Sequence, residues 1–301
     1  MIAAALLAWS ATALASAPQA APHFPELELV AALPVDGSNG LDLSGLALRG
    51  RTLYAVSDKD DTHIFRIVLA PGHSSARLEP AIPITLPPDS GKGRCDWEGL
   101  AIHPDGRWLL ASELKHRVLA VPAKGGAGTW ITPNLQPAAR PHGMLQVTNA
   151  GLEGLTVGPG GTLILAAERL NRGLIEIAPG RSPVFSPLTT SIVRLPPPRV
   201  PDLAAVEWTG TQLIGLYRNA ELLVRLEKQN GTWIETRAWS FRQTVRHPKL
   251  RYIATSYGMV EGLALSKDFI YLCADNNRSG RAADRADRRG LLYIFKRPPE
   301  L

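Results

Sequence analysis

The chain has 301 residues, 45% apolar and 20% charged, enough for one large all-β domain or two ordinary ones, and this balance excludes a globally disordered protein. Its formal charge of +6 suits a basic surface and an anionic ligand; with 6% aromatic residues and no dense Lys/Arg block among them, nucleic-acid binding is not expected. The 27 glycines and 25 prolines imply many turns between short elements.

In chain order, residues 2–15 form a short apolar run ending in small residues, with cleavage positions after Ala17 or Ala20. This reads as a signal peptide over residues 1–20 ahead of a single domain over 21–301, and it predicts a periplasmic or secreted protein. The run is shorter than a spanning helix and no later stretch has membrane length, so no stable membrane insertion is expected after cleavage. FPELELVAALPV, residues 24–35, is the first strand of the mature chain.

A repeat follows. Leu46 in LSGLAL, Leu100 in WEGLAI, Leu155 in LEGLTV, Val206 in LAAVEW and Leu263 in VEGLAL are spaced by 54, 55, 51 and 57 residues. Each of these first strands is followed by a turn and a second strand, RTLYAVSD, RWLLASE, TLILAAE, QLIGLYRN or FIYLCAD. Third strands read HIFRIVL, RVLAVPA, GLIEIAP, ELLVRLE and GLLYIFK, and fourth strands LEPAIPITL, GTWITPN, TTSIVRLP and TWIETRAWSF. The fifth unit ends without a fourth strand, and residues 24–35 supply the missing partner. The arithmetic is that of a single all-β propeller closed by its N-terminal strand, which leaves no long sheet edge open. Five blades are favoured; six are possible if a degenerate blade lies in 178–200 or 235–257. Residues 278–289, RSGRAADRADRR, read as a solvated surface excursion between the second and third strands of the last unit.

First strands of a propeller lie nearest its axis, so Glu98, Glu153 and Glu261 are expected to converge there, with Ser44 and Ala204 at the matching positions of the other two units. Uncompensated carboxylates brought together repel, which raises pKa values or recruits a cation, and calcium accepts six to eight oxygen ligands. The glycine after each acid permits close backbone approach. Second-strand ends add Asp58, Glu113, Glu168, Asn219 and Asp275, which either complete a metal shell or serve as turn residues. The basic groups near these elements are Arg94, Arg140, His142, Arg169, Arg218 and Arg278; an arginine fork suits carboxylate or phosphate, and His142 suits proton transfer.

Other chemistries lack support: the sequence has no GxSxG elbow, Walker loop, dinucleotide fingerprint, HExxH site or cysteine cluster. Cys95 and Cys273 are compatible either with one disulfide or with two separate buried thiols. The tryptophans at 97, 108, 130, 208, 233 and 239 fall in strand-like contexts and are expected to pack between blades.

The segments CDWEGLAIHPDGRWLLASE, NAGLEGLTVGPGGTLILAAE and YGMVEGLALSKDFIYLCADNN resemble the repeats of the phytase-like, or esterase-like, β-propeller family and are similar to quorum-regulator-associated propellers. The resemblance covers most of residues 40–297. It implies calcium, with Glu98, Glu153 and Glu261 as ligands and Asp58, Glu113, Glu168 and Asp275 as further ones. The fourth unit departs from the pattern, with Ala204 in place of the acid and Arg218-Asn219 in place of the small residue and acid, a change that opens space for an anion. Two functions follow. One is calcium-assisted hydrolysis of a phosphate or carboxylate ester, a small anionic substrate, with Glu153, His142 and Arg218 as the catalytic set. The other is a non-catalytic module binding an envelope protein or ligand.

Overall fold

A computed structural model of the protein describes residues 23–148, 150–253 and 258–301. The expected signal peptide therefore lies outside the described residues. Strand β1 (Leu29–Asp36) comes first, followed by β2 (Leu43–Arg49), β3 (Thr52–Ser57), β4 (Asp60–Leu69) and β5 (Ala76–Thr85). The second unit holds β6 (Trp97–Ile102), β7 (Trp108–Ser112), β8 (Arg117–Val121) and the two-residue strands β9 (Gly126–Ala127) and β10 (Thr129–Trp130). Next come helix α1 (Gln136–Ala139) and strands β11 (Leu152–Val157), β12 (Leu163–Ala167), β13 (Gly173–Ile177) and β14 (Val184–Pro187). The fourth unit is β15 (Ala205–Trp208), β16 (Leu213–Tyr217), β17 (Leu222–Gln229) and β18 (Thr232–Ser240), followed by α2 (Arg242–Val245). The last strands are β19 (Val260–Leu265), β20 (Phe269–Ala274) and β21 (Leu291–Lys296).

Three of the sheets are four-stranded and antiparallel: β6-β7-β8-β10, β11-β12-β13-β14 and β15-β16-β17-β18. The remaining strands form one mixed sheet in which β1 pairs antiparallel with β21, from Leu29 opposite Phe295 to Pro34 opposite Leu291, and then touches β5 in parallel at Val35 and Asp36. The N-terminal strand thus completes the last unit and ties it to the first. Inner strands contact one another in the cyclic order β2, β6, β11, β15, β19 and back to β2. The result is a propeller-like all-β arrangement with a closed inner ring.

Burial follows from that arrangement. Strands β7, β12 and β16 are covered on both faces, and each is buried at all five positions, which is why WLLAS, LILAA and LIGLY read as continuous apolar runs without alternation. The cores lie between successive sheets: Trp97, Trp108 and Leu110 pack on Val56 and Ile64, while Trp239 and Phe241 pack with Tyr293 and Phe295. Cys95 and Cys273 are free buried thiols in two different cores, so the structure takes the two-thiol alternative.

Two expectations change. TTSIVRLP is not the outer strand of the third sheet; that strand is β14, and the segment's polar groups are taken up by buried side chains instead. Glu235 accepts from Ile192 N (2.9 Å) and Ser191 Oγ (2.6 Å), and Arg172 Nη2 donates to Thr190 O (3.0 Å). Residues 278–289 are also less free than expected: Ala282 N donates to Arg251 O (2.8 Å), Tyr252 Oη to Arg289 O (2.8 Å), and Asp287 pairs with Arg281 and Arg289. Among the described residues, 178–200 and 235–257 contain no additional four-stranded sheet.

Candidate metal centre

Each EG pair sits at a fault in its ladder. Between β6 and β7 the pairing passes from Trp97 opposite Ser112 to Gly99 opposite Ala111, so Glu98 is an extra residue; Glu261 is extra in the same way between Val260 and Gly262. In the third unit Glu153 and Gly154 together face the stretch between Ala167 and Leu165, and in the first Ser44 and Gly45 do so between Ser57 and Ala55. A bulge of this kind re-aims a side chain, here toward the ring's centre. The fourth unit pairs without a shift from Ala205 opposite Leu216 onward, and there Ala204 replaces the acid.

The glycines explain how neighbouring units come this close. A Cβ on Gly45 would lie 2.8 Å from Glu98 O, on Gly99 2.7 Å from Glu153 O, on Gly154 2.5 Å from Val206 N and on Gly262 3.0 Å from Ser44 O. Each glycine therefore seats its strand against the backbone of the next inner strand. Ser44 Oγ adds a donor to Trp97 O across the same seam.

These strands and the ends of the second strands enclose a cavity of about 500 Å³. Asp58, Glu98, Glu113, Glu153, Glu168, Glu261 and Asp275 all line it, as does Arg218. Asp96 joins them, making eight carboxylates against four cationic groups, Lys59, Arg94, Arg169 and Arg218. Asp58, Asp96 and Glu98 each bring a carboxylate oxygen within 4.8 Å of the other two, and so do Glu113, Glu153 and Glu168. His142 is elsewhere: it is exposed and stacks on Phe185 of the outer strand β14, ring centres 4.8 Å apart, so it is not positioned to serve this cavity. Arg140 and Arg278 are also outside the lining.

Two kinds of surroundings divide the acids. Arg218 donates to Glu168 and Glu261 and approaches Asp202 at 3.5 Å, so its fork is held by protein carboxylates rather than presented to an anion. Its pKa is driven well up by those acids despite burial. Asn219 exchanges hydrogen bonds with Asp202, receiving its role from the loop (Asn219 N to Asp202 Oδ1, 3.0 Å). On the other side Lys59 pairs with Asp58 and with Asp42 at 3.3 Å, but Asp58 Oδ1 and Asp96 Oδ1 are buried without a hydrogen-bond partner.

Burial raises the pKa of Asp58 to about 6 and of Glu113 and Glu168 to about 7, with neighbouring acids adding to the effect. Glu98 and Glu153 are pushed well above the usual carboxylate range, first by desolvation and then by nearby acids, Glu153 and Glu261 for the former, Glu168 and Glu113 for the latter. Glu98 retains some accessible surface because it faces the cavity, yet its depth within the protein sets its titration. Such a set is unsatisfied as carboxylates and fits a hard divalent cation that takes oxygen ligands, because that charge removes both the repulsion and the orphaned oxygens.

Asp96 and Asp202 were not among the expected site residues. Both lie two positions before the EG acid or its replacement, as does Asp42, and that D-x-[E/S/A] pattern is the sequence signal, interrupted by Gly151 and Met259 in the other units.

Residues 40–174 match the phytase-like family model described as "Esterase-like activity of phytase", spanning the first two units and the third as far as the start of β13. No curated protein matches the sequence. Among solved structures the chain is similar to the glutaminyl cyclase of Myxococcus xanthus, with 10% identity, a TM-score of 0.58, and coverage of 92% of this chain and 100% of that one. It is similar also to the PQQ-bound aldose sugar dehydrogenase of Streptomyces coelicolor, at 13% identity and TM-score 0.52, covering 92% of this chain and 100% of that one. The match to a virginiamycin B lyase of Staphylococcus aureus has 11% identity and a TM-score of 0.44, and covers 84% of this chain but 66% of that one. At these identities the likeness is one of fold. Over residues 40–174, somewhat under half of its length, the chain is similar to the phytase-like family, as its repeated segments suggested, and the distant structures add a shared β-propeller fold.

Proposed function

We propose that the protein is an exported, five-bladed, calcium-assisted hydrolase of phosphate or carboxylate esters that works in the carboxylate-lined cavity. The observation that carries this reading is the imbalance of that cavity, eight carboxylates against four cations, with Asp58 Oδ1 and Asp96 Oδ1 buried without a hydrogen bond and Arg94 no nearer to the latter than 3.8 Å. Asp58, Asp96 and Glu98 would hold the ion, with Glu113, Glu153 and Glu168 as a second set of oxygens lining the same cavity. When bound, calcium supplies a Lewis acid that polarises the ester oxygen and acidifies a water.

The chain's own groups carry the proton. Glu113, whose carboxylate accepts from Gly151 N (3.2 Å) and lines the cavity beside the ion-holding acids, is placed to take a proton from water. Water oxygen bonds to the acyl carbon or phosphorus, the ester C–O or P–O bond breaks, and the proton held by Glu113 passes to the leaving oxygen. Arg218 acts as a positioning residue, fixing Glu168 and Glu261. Lys59 and Arg94 stand on the side where a substrate anion would enter.

The test is a panel of phosphate monoesters, carboxylate esters and lactones assayed with calcium and with chelator, alongside calcium titration calorimetry. Expected are saturable turnover lost on chelation and restored by calcium, and E98Q and E153Q variants that bind calcium at least about tenfold more weakly. Absence of calcium-dependent turnover, together with unchanged calcium binding in both variants, would refute the proposal.

A further inference from the structure

Beside the carboxylate cavity lies a second one of about 280 Å³, and Arg218 and Gly258 belong to the walls of both. Their chemistry is opposite. The floor of the second is apolar: Phe241, Tyr252, Val260 and Tyr293 are buried, and Met259 is half-buried at its edge. The hydroxyl of Tyr252 is already used, donating to Arg289 O, so its ring is what the cavity meets. Such a space, at the small end of the roughly 300–1,000 Å³ usual for ligand pockets, suits one compact apolar group.

The rim is cationic. Arg246, Arg251 and Glu221 stand there, and Glu221 is already shared between Arg242 (2.9 Å) and Arg246 (2.8 Å). Arg251 is exposed and its guanidinium makes no hydrogen bond or ion pair among the described residues. Arg218, the shared wall, is neutralised from the other side by Glu168, Glu261 and Asp202. Of the rim arginines, Arg246 is held on Glu221 and Arg251 is the one whose guanidinium stands clear of a carboxylate among the described residues.

We propose that this side cavity binds one half of the substrate, a compact aromatic or short-chain group carrying an organic anion. The apolar body lies on Phe241, Tyr252 and Met259, the anion meets Arg251, and the ester reaches past Arg218 and Gly258 into the carboxylate cavity. This names the substrate class and rests on the hydrolase reading above. It places recognition of the substrate anion at Arg251 and leaves Arg218 to its internal acids.

Binding is measured on the full mature chain, in chelator and without turnover, with 2-naphthoate as probe and neutral 2-naphthol as control. Saturable one-to-one binding of 2-naphthoate is expected. M259W, which fills the cavity, should weaken it at least about tenfold. R251A, a change at an exposed side chain, should weaken naphthoate about fivefold and leave naphthol unchanged. If wild type shows no saturable naphthoate binding, or if R251A and M259W bind it as wild type does, the proposal is overturned. The arms separate the two readings: naphthoate binding of the expected pattern without ester turnover removes the hydrolase and keeps the pocket, whereas calcium-dependent turnover without naphthoate binding does the reverse.

Discussion

The two sides of the carboxylate cavity solve the same electrostatic problem differently. On the side of the third, fourth and fifth units, an arginine grown from the end of β16 replaces a missing acid, and its fork satisfies Glu168, Glu261 and Asp202. On the side of the first and second units the cations lining the cavity are Lys59 and Arg94, the latter 3.8 Å from Asp96 Oδ1, and Asp58 and Asp96 each keep an oxygen without a hydrogen-bond partner. The fourth unit also lacks the bulge that turns the acid inward in the others. Built-in hydrogen bonds thus satisfy the acids on one side, while the other keeps orphaned oxygens that the proposed calcium would satisfy. The contrast locates the proposed metal better than the acids alone do, because eight carboxylates in one cavity give no preference among themselves.

The largest effect is expected from breaking the closed side. R218A leaves Glu261 and Asp202 buried without their counter-charge and Glu168 with Arg169 alone, and removing one partner of such a network costs about 3–5 kcal/mol. Chemical denaturation at pH 7 checks this, and a loss below about 1 kcal/mol would mean that Arg218 is not the internal counter-ion described here. The open side is tested by pH. In metal-free protein Asp58 keeps its proton to about pH 6 and Glu113 and Glu168 to about pH 7, chiefly because burial disfavours the charge. In the unfolded chain such groups ionise near pH 4, so between about pH 4 and 7 the folded state binds more protons and its stability falls as pH rises. Thermal melting in chelator should therefore drop from pH 5 to pH 8, and calcium should restore more of it at pH 8, where no protons compete. A flat or rising profile in chelator would mean that burial does not hold these acids protonated.

How much of this was readable in the chain depends on whether the cause is local. The repeat, the displaced closing strand and the convergence of Glu98, Glu153 and Glu261 follow from a spacing that one strand carries by itself. The bulges do not, because a bulge is a mismatch between two strands and has no marker in either alone. TTSIVRLP has strand composition, yet Glu235 of another unit supplies the hydrogen bonds that would have come from a ladder. Arg218 and His142 looked alike as basic residues near the motif, and only the fold separates one that points among acids from one stacked on Phe185 at the outer edge. Asp96 and Asp202 were hidden by an incomplete pattern, since Gly151 and Met259 occupy their equivalent positions.

The smallest effects bear on why the glycine of each EG pair is there. Gly99 stands where a Cβ would come 2.7 Å from Glu153 O and 2.9 Å from Leu155 N, both backbone atoms that can retreat only by moving β11. G99A should therefore cost about 1–3 kcal/mol, the usual penalty for forcing a methyl into a packed interior. It should also weaken calcium binding, because β11 carries Glu153 and the displacement separates it from Glu98. The fourth unit already holds alanine at the equivalent position, so A205G relieves nothing there and loses conformational restriction and one buried methyl, together about 1–1.5 kcal/mol, with calcium affinity unchanged. Equal losses in the two variants would mean that the glycine answers a local backbone need common to every unit. A larger loss in G99A, accompanied by weaker calcium binding, would tie the glycine to the spacing between acids on neighbouring inner strands.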